Sequence, residues 1–465
     1  MASAITAPTY DPVTTAQGLA DQYVLARQQI LSAQTSAASA TEKALTDLGT
    51  AMSSFQTSLA SLTGLNKNIF AQSAVYSDTG FGSATASATA APGSYSFFVK
   101  QLATASQVSY SGLTDNAGVG GTLKIKLGTG SSFDVNLAAA DSDGNGTLST
   151  RELAAAINGA TDNKSLVTAS IVTTGASAEL VLTAKNTGAS NRITIDTGAV
   201  TGPSSLKAAN ADPARVRELV VAQDAEIRIG SESGTPIIQA SNTFTAIDGV
   251  KMTFTKAHAA GAAPLTVTVG TDTAATTANV QAFVDAYNKL KTVLTRLTDA
   301  GSPATGAAGG AFAHDGGIRA LNDRLVSLLR PAAGGDTLAA YGIIATKEGT
   351  LELRSDRLQA QLARNPNGLD KLIGSSSASA PSGIAAGLDT FLKSWSNGAN
   401  GQILKRKDAN SSLQKTIENR KAALEVQHEA AYQRYLKQFT ALATLQNSMT
   451  NNLSMFDAIF GNDKD

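Results

Sequence analysis

Residues 13–91 and 382–465 contain no proline, and the chain's prolines lie before and between these two stretches. A proline inside a helix removes a hydrogen bond and clashes with the preceding turn, so these stretches are where long helices can run. The centre reads as strands and turns. A chain laid out in this way is expected to fold as an α+β multidomain protein, with both ends joined as a helical coiled-coil or bundle stalk and two β-rich head domains inserted between them.

The ends carry helical seams. Leu19, Tyr23, Ala26, Ile30, Ala33, Ala37, Ala40 and Ala44 recur in alternating steps of four and three, the spacing of a helix packed lengthwise on a partner. Most of these residues are alanine. At roughly 25 cal/mol per Å² of apolar surface buried, so narrow a seam does not offset the entropy of ordering the helix alone. The last helix repeats the rhythm with Tyr435, Phe439, Leu442, Gln446, Met449, Leu453, Phe456 and Phe460, and aromatic residues in such a stripe call for a partner surface. Leu19, Tyr23, Ile30, Phe439, Leu442, Met449, Leu453, Phe456 and Phe460 are therefore the expected contacts with other copies or with another partner chain.

At 465 residues the chain is long enough for about three domains. Lysine plus arginine equals aspartate plus glutamate, 37 of each, so no global charge draws in nucleic acid or an anionic membrane. Lys405, Arg406 and Lys407 form a short basic run that reads as a solvated face. With no cysteine, disulfides, thiolate metal sites and cysteine nucleophiles are all excluded. The first fifteen residues, MASAITAPTYDPVTT, lack the basic start and apolar core of a secretory signal, and no apolar run approaches the roughly 18 residues of a membrane span. Export, if it occurs, is expected by another route, without a cleaved signal peptide.

After Gly80 the composition turns to alanine, serine, threonine and glycine, and Pro92-Gly93 marks the expected end of the helical segment. Period-two alternation then begins at Tyr95, Phe97 and Val99. The expected divisions are a leg helix 1–48 paired with 436–465, a helical stalk 49–92 continued at 271–435, a β domain 93–115 continued at 207–270, and an outer β domain 116–206 inserted into it. The helical period returns with Val280, Phe283, Val284, Tyr287, Leu290 and Leu294.

Catalytic apparatus is not visible. His258, His314 and His428 fall in three different predicted segments, none at metal-ligand spacing from another. There is no nucleophile elbow and no phosphate-binding glycine loop. One motif does carry chemistry: residues 141–152, DSDGNGTLSTRE, match the twelve-residue calcium loop at every defined position. This spacing would direct Asp141, Asp143, Asn145, the Thr147 carbonyl, Ser149 through a water and both oxygens of Glu152 towards one calcium ion. A helix is expected to leave the loop at 153–158, but the segment before it, 133–137, reads as a strand. The competing reading is an Asp/Gly-rich turn whose Glu152 opens a helix, where an acid suits the dipole.

Longer segments of the chain resemble one family. GSYSFFVKQLATASQ (93–107), NTFTAIDGVKMTF (242–254), FVDAYNKL (283–290), GTLELRSDRLQAQLARNP (349–366) and YLKQFTALATLQNSMTNNLSMF (435–456) resemble, in order and spacing, elements of the bacterial flagellar filament cap family, also called hook-associated protein 2. LAAAINGA with LVLTAKNTGASNRITI (180–195) looks like the β-rich insertion shared by flagellins and hook-associated proteins. The family's glycine-rich GSGLD before its first helix is replaced here by TYDPVTTAQGLA. The resemblance implies an extracellular homo-oligomeric ring, most often a pentamer, at the distal tip of the flagellum, with leg-like helices below a plate of β domains. It also implies flagellin, the hook–filament junction protein and an export chaperone as partners. Two alternatives stand beside it: another hook-associated or flagellin-type subunit, and a tip adhesin whose β head binds surface glycans.

Overall fold

The computed structural model describes residues 11–174, 177–302, 304–331 and 336–460. They form two compact units, one holding the residues up to Ile69 and those from Thr277 onward, the other spanning Phe70–Thr276. Helical ends and a β-rich centre are thus the architecture, as expected.

In the first unit, Asp11 caps the helix Pro12–Thr63, its carboxylate accepting the Thr14 N–H at 2.9 Å. Pro12 occupies the first turn, where a missing N–H costs nothing. The helix Gln402–Phe460 lies antiparallel to it, because partners descend on one helix as they ascend on the other. His428 meets Asp21 at 2.7 Å, Gln427 meets Arg27 at 2.6 Å, Asn410 meets Ala38 at 3.0 Å and Lys407 meets Thr46 at 2.8 Å. With equal rise on both helices, Pro12 falls level with about residue 437. The expected pairing of 1–48 with 436–465 is therefore corrected: the partner of the first helix is the segment before 436.

Further along, Leu45, Leu48, Met52, Phe55 and Leu59 are sealed from solvent. Phe55 sits 6.4 Å from Phe283 and 6.2 Å, edge-on, from Tyr287, both on the helix Thr273–Thr298. Helices Gly316–Leu328, Ser355–Arg364, Gly368–Ile373 and Gly383–Ser396 also belong to this unit. The hairpin Ile343–Ala345 with Leu351–Leu353 is held by Asn288, whose amide donates to the Leu351 carbonyl at 2.8 Å and accepts its N–H at 2.7 Å. Arg406, from the basic run, pairs with Asp315, the cap of Gly316–Leu328, and lies 5.7 Å over Trp395.

The first helix stops at Thr63, and residues 49–92 are not helical throughout. Gln72–Tyr76 and Gly82–Ala86 are strands of the second unit, which corrects the expected boundary at 92. Ala74 and Tyr76 face inward at period two; absence of proline permits a helix without requiring one.

The second unit has two cores. The inner one lies between a five-stranded antiparallel sheet, in the order Gln72–Tyr76, Leu265–Thr271, Gly93–Gln101, Ala225–Ile229, Pro236–Gln239, and a three-stranded sheet of Thr243–Ile247, Val250–Phe254 and Gly82–Ala86. Val99, Ile227, Phe244, Met252, Phe254 and Val267 fill it. Gly249 makes the turn between two of its strands at φ 72°, and a Cβ there would come within 2.6 Å of the Ser87 hydroxyl. The outer core joins the sheet Val216–Val220, Ala105–Tyr110, Ser177–Thr187, Val167–Thr174 to a second sheet centred on Gly120–Leu127. Leu153 and Ile157 of the helix Thr150–Gly159 pack into it.

This division corrects the expected boundaries at 116 and 206. Val108 and Tyr110 belong to the outer core, and Val216–Val220 pairs there with Ala105–Tyr110. The chain changes core between residues 101 and 105, where Asn242 brackets the Ala103 peptide, accepting its N–H at 2.7 Å and donating to its carbonyl at 2.9 Å. Alternation identifies strands but not the sheet each one joins.

Candidate functional site

Two apolar stripes share the first helix, offset by one residue. The stripe facing Gln402–Phe460 is Ala16, Ala20, Val24, Leu31 and Ala38, meeting Ile417 and Leu424. Leu31 is 8% exposed. The stripe expected from spacing, with Leu19, Tyr23 and Ile30, lies about 100° round the helix and is exposed, Ile30 by 59%. Arg27 and Arg434 lie 5.7 and 5.8 Å from the Tyr23 ring.

Beyond about residue 437 no other helix runs beside Gln402–Phe460 among the described residues. Leu442, Leu445, Met449, Leu453, Phe456 and Ile459 face solvent along one side, Met449 by 56% and Phe456 by 60%. Phe439 is half-buried, and the Phe460 side chain lies outside the described residues. Covering even half of each exposed side chain would contribute about 1 kcal/mol per residue to a docked state, set against the entropy cost of association.

The acidic loop brings Asp141, Asp143 and Glu152 together, with ligand oxygens all within 4.8 Å of one another. Asp141 accepts the N–H groups of Gly144 and Gly146, each at 2.8 Å, and Gly146 takes φ 78°. Asn145 accepts the Thr147 N–H at 2.7 Å. Ser149 and Glu152 form a capping box for Thr150–Gly159. Glu152 is nearly buried, and its two oxygens accept from Ser149 N and Oγ, Ser142 N and Oγ, and Asp143 N at 2.8–3.3 Å. The Ser149 N–H and hydroxyl, then the Ser142 and Asp143 N–H groups, hold its carboxyl at about 2. Bidentate binding of calcium would have to displace these donors. The segment entering the loop is the strand Ser131–Asn136 and a short turn, so the entering helix of an EF-hand is absent here.

The histidines do not converge. His428 bonds Asp21 across the helix pair, while His258 lies between Phe81 and Phe98, ring centroids 4.2 and 4.6 Å away, with Nδ1 2.9 Å from the Val99 N–H. Spacing gave no notice of Asn410, 6% exposed in the helix seam, donating to the Ala38 carbonyl and, at 3.3 Å, to Glu42. A lone polar residue in the heptad series Ile403, Asn410, Ile417, Leu424 and Ala431 was the available signal. No helix among the described residues is long and apolar enough to cross a membrane.

The chain resembles known proteins over most of its length. The family model for the flagellar hook-associated protein 2 N-terminus matches residues 12–106, and that for its C-terminus matches 222–451. The gap between them corresponds to the outer core. The lateral flagellar hook-associated protein 2 of Vibrio parahaemolyticus is 31% identical over 389 residues, covering 82% of this chain and 84% of the relative. The flagellar hook-associated protein 2 of Escherichia coli K12 is 28% identical over 454 residues, covering 93% and 92%. The crystal structure of the Escherichia coli flagellar cap protein FliD, domains D1-D2-D3, superposes with a TM-score of 0.63 at 25% identity over 79% of this chain and 99% of that one. With two family models spanning most of its length and the same helical ends around a β-rich centre, the chain belongs to the flagellar hook-associated protein 2 family and is a flagellar filament cap.

Proposed function

We propose that copies of this chain close into a ring at the distal tip of the flagellum, where exported flagellin folds and joins the filament beneath it instead of escaping. The observation that carries this reading is the exposed stripe from Leu442 to Ile459 on a helix that has outrun its partner. A narrow helix pair that ends in a solvent-exposed apolar stripe can detach and reseat at low cost, as a cap advancing with each added subunit must. The role asks for no catalysis. Five copies to the ring, an initial seat on the hook–filament junction protein, and an export chaperone that covers the stripe before assembly complete the proposal. The comparisons favour the cap over an adhesin reading of the β head. The test is to delete the gene and assay the medium: abundant unpolymerised flagellin with short or absent filaments, reversed by this chain, supports the proposal, and normal filaments overturn it.

For the loop at 141–152 we propose calcium as a structural ligand. The gathered oxygens of Asp141, Asp143 and Glu152 support it, with Asn145, the Thr147 carbonyl and Ser149 at the remaining loop positions. Because the ion must displace the donors now on Glu152, affinity belongs in the weak range of extracellular calcium modules, on the order of 10⁻⁴–10⁻³ M. Calorimetric titration of the full chain should give heat that Glu152→Gln abolishes; silence from both would leave the capping box as the loop's whole purpose.

A further inference from the structure

The helix pair has two different sides. Leu31 and Leu424 form a common floor; on one side the groove is walled by Arg27, Ile30, Gln34, Arg420, Ala423 and Gln427, and on the other by Asp21, Gln28, Ser32, Lys421, Glu425 and His428. The first side is cationic and flanked by the exposed stripe of Tyr23 and Ile30. Arg434 adds a third guanidinium over Tyr23 and Tyr435. Among the described residues no carboxylate reaches Arg27, Arg420 or Arg434 within ion-pair distance; Arg27 bonds only the neutral Gln427 amide and lies against the Tyr23 ring. The second side carries the carboxylates of Asp21 and Glu425 beside a single lysine, Lys421; Asp21 is bonded by His428 at 2.7 Å, while Glu425 has no ion-pair partner among the described residues.

Guanidinium groups on one edge and carboxylates on the other make a surface complementary to a translated or rotated copy of itself, not to its own mirror position. Two cationic edges brought together by a two-fold axis would repel. A head-to-tail contact pairs unlike edges at every junction, and such heterologous contacts generate rings when the rotation closes.

We propose that neighbouring copies pack their terminal helix pairs side by side, the groove of Arg27, Ile30 and Arg420 on one copy receiving the Asp21–Glu425 edge of the next. This rests on the ring reading above and names the leg surfaces that join its members. Ile30 and Tyr23 lose solvent in the contact, and the arginines gain carboxylate partners that fix which edges meet. The exposed stripe on the first helix thereby has an occupant.

The absence of cysteine makes the contact testable by cross-linking in the full-length chain. Ile30→Cys combined with Glu425→Cys places thiols on opposite sides of one helix pair, where they face different neighbours. Oxidation of the assembled protein should give a ladder of covalent multimers, while Ile30→Cys alone should give none. Arg27→Glu with Arg420→Glu should keep the helical circular dichroism and weaken association by about ten-fold or more; adding Glu425→Arg to those two changes should recover part of it. Three results would overturn the proposal: a discrete dimer from Ile30→Cys alone, which means a two-fold contact; no ladder although sedimentation shows assembly; or cross-linking of Ile30→Cys to added flagellin in place of the ladder. Each can occur with wild-type chain still restoring filaments to a deletion strain, so failure here is distinct from failure of the cap reading.

Discussion

Asn410 should act as the register key of the helix pair. The seam around it is apolar and repeats by heptads, with Val24, Leu31 and Ala38 on one helix and Ile403, Ile417, Leu424 and Ala431 buried on the other. Sliding the helices by one heptad, about 10 Å, would leave much of this seam apolar on apolar. The slide would nevertheless strip the Asn410 amide of the Ala38 carbonyl and of Glu42. An unsatisfied buried amide costs about 1–3 kcal/mol, which favours the native register roughly five- to 150-fold. Asp21–His428 and Lys407–Glu42 also mark the register, but exposed pairs of this kind contribute only about 0–1 kcal/mol each. Asn410→Leu should therefore hold or raise the thermal midpoint while admitting a second register. Spin labels on cysteines at positions 34 and 420, diluted with unlabelled chain, should report one distance in the parent protein and a second, displaced population in the variant. A single unchanged distance together with a loss of more than about 2 kcal/mol of stability would refute the argument and make Asn410 an ordinary packing residue.

Other expectations follow from the same geometry. Met449→Ser with Leu453→Ser removes exposed apolar surface, so thermal unfolding should shift by less than about 0.5 kcal/mol while flagellin leaks into the medium; a large loss of stability would mean the stripe packs within the chain. Glu152 has its carboxyl lowered from 4.5 to about 2, so its contribution is full above pH 4.5 and fades as pH falls towards 2. Acid unfolding of the second unit should show that component in the parent and lack it in Glu152→Gln. Burial between Phe81 and Phe98 lowers the His258 pKa below its usual 6.5; Lys256 acts in the same direction. The neutral ring is the folded form, with stability complete above pH 6.5 and declining as pH falls towards the folded value. Titration by NMR should place the His258 midpoint below 6.5, and a midpoint above it would contradict the packing seen.

Much of the architecture was legible because its signals are local. The terminal helices, the alternating strands around Val99, Ile227 and Val267, and the loop at 141–152 all follow from period and composition. Three features were not. Tyr23 and Ile30 keep the same four-three rhythm as Val24 and Leu31, and periodicity cannot tell a stripe that packs within the chain from one left exposed. Val216–Val220 alternates too weakly to announce its sheet, since all but its first residue are exposed. The pairing of the long helices depends on Asn410, Gln427 and His428 finding Ala38, Arg27 and Asp21 across more than 370 residues of sequence. The calcium spacing was legible at every position, yet Glu152 is held by five protein donors, which no spacing rule reveals.

The most direct measurement of the central claim is where the protein sits. Gold-labelled antibody against this chain, viewed by electron microscopy on intact filaments, should mark the distal end of each filament and leave the shaft bare; label along the shaft, or on the cell surface with bare tips, would contradict the cap.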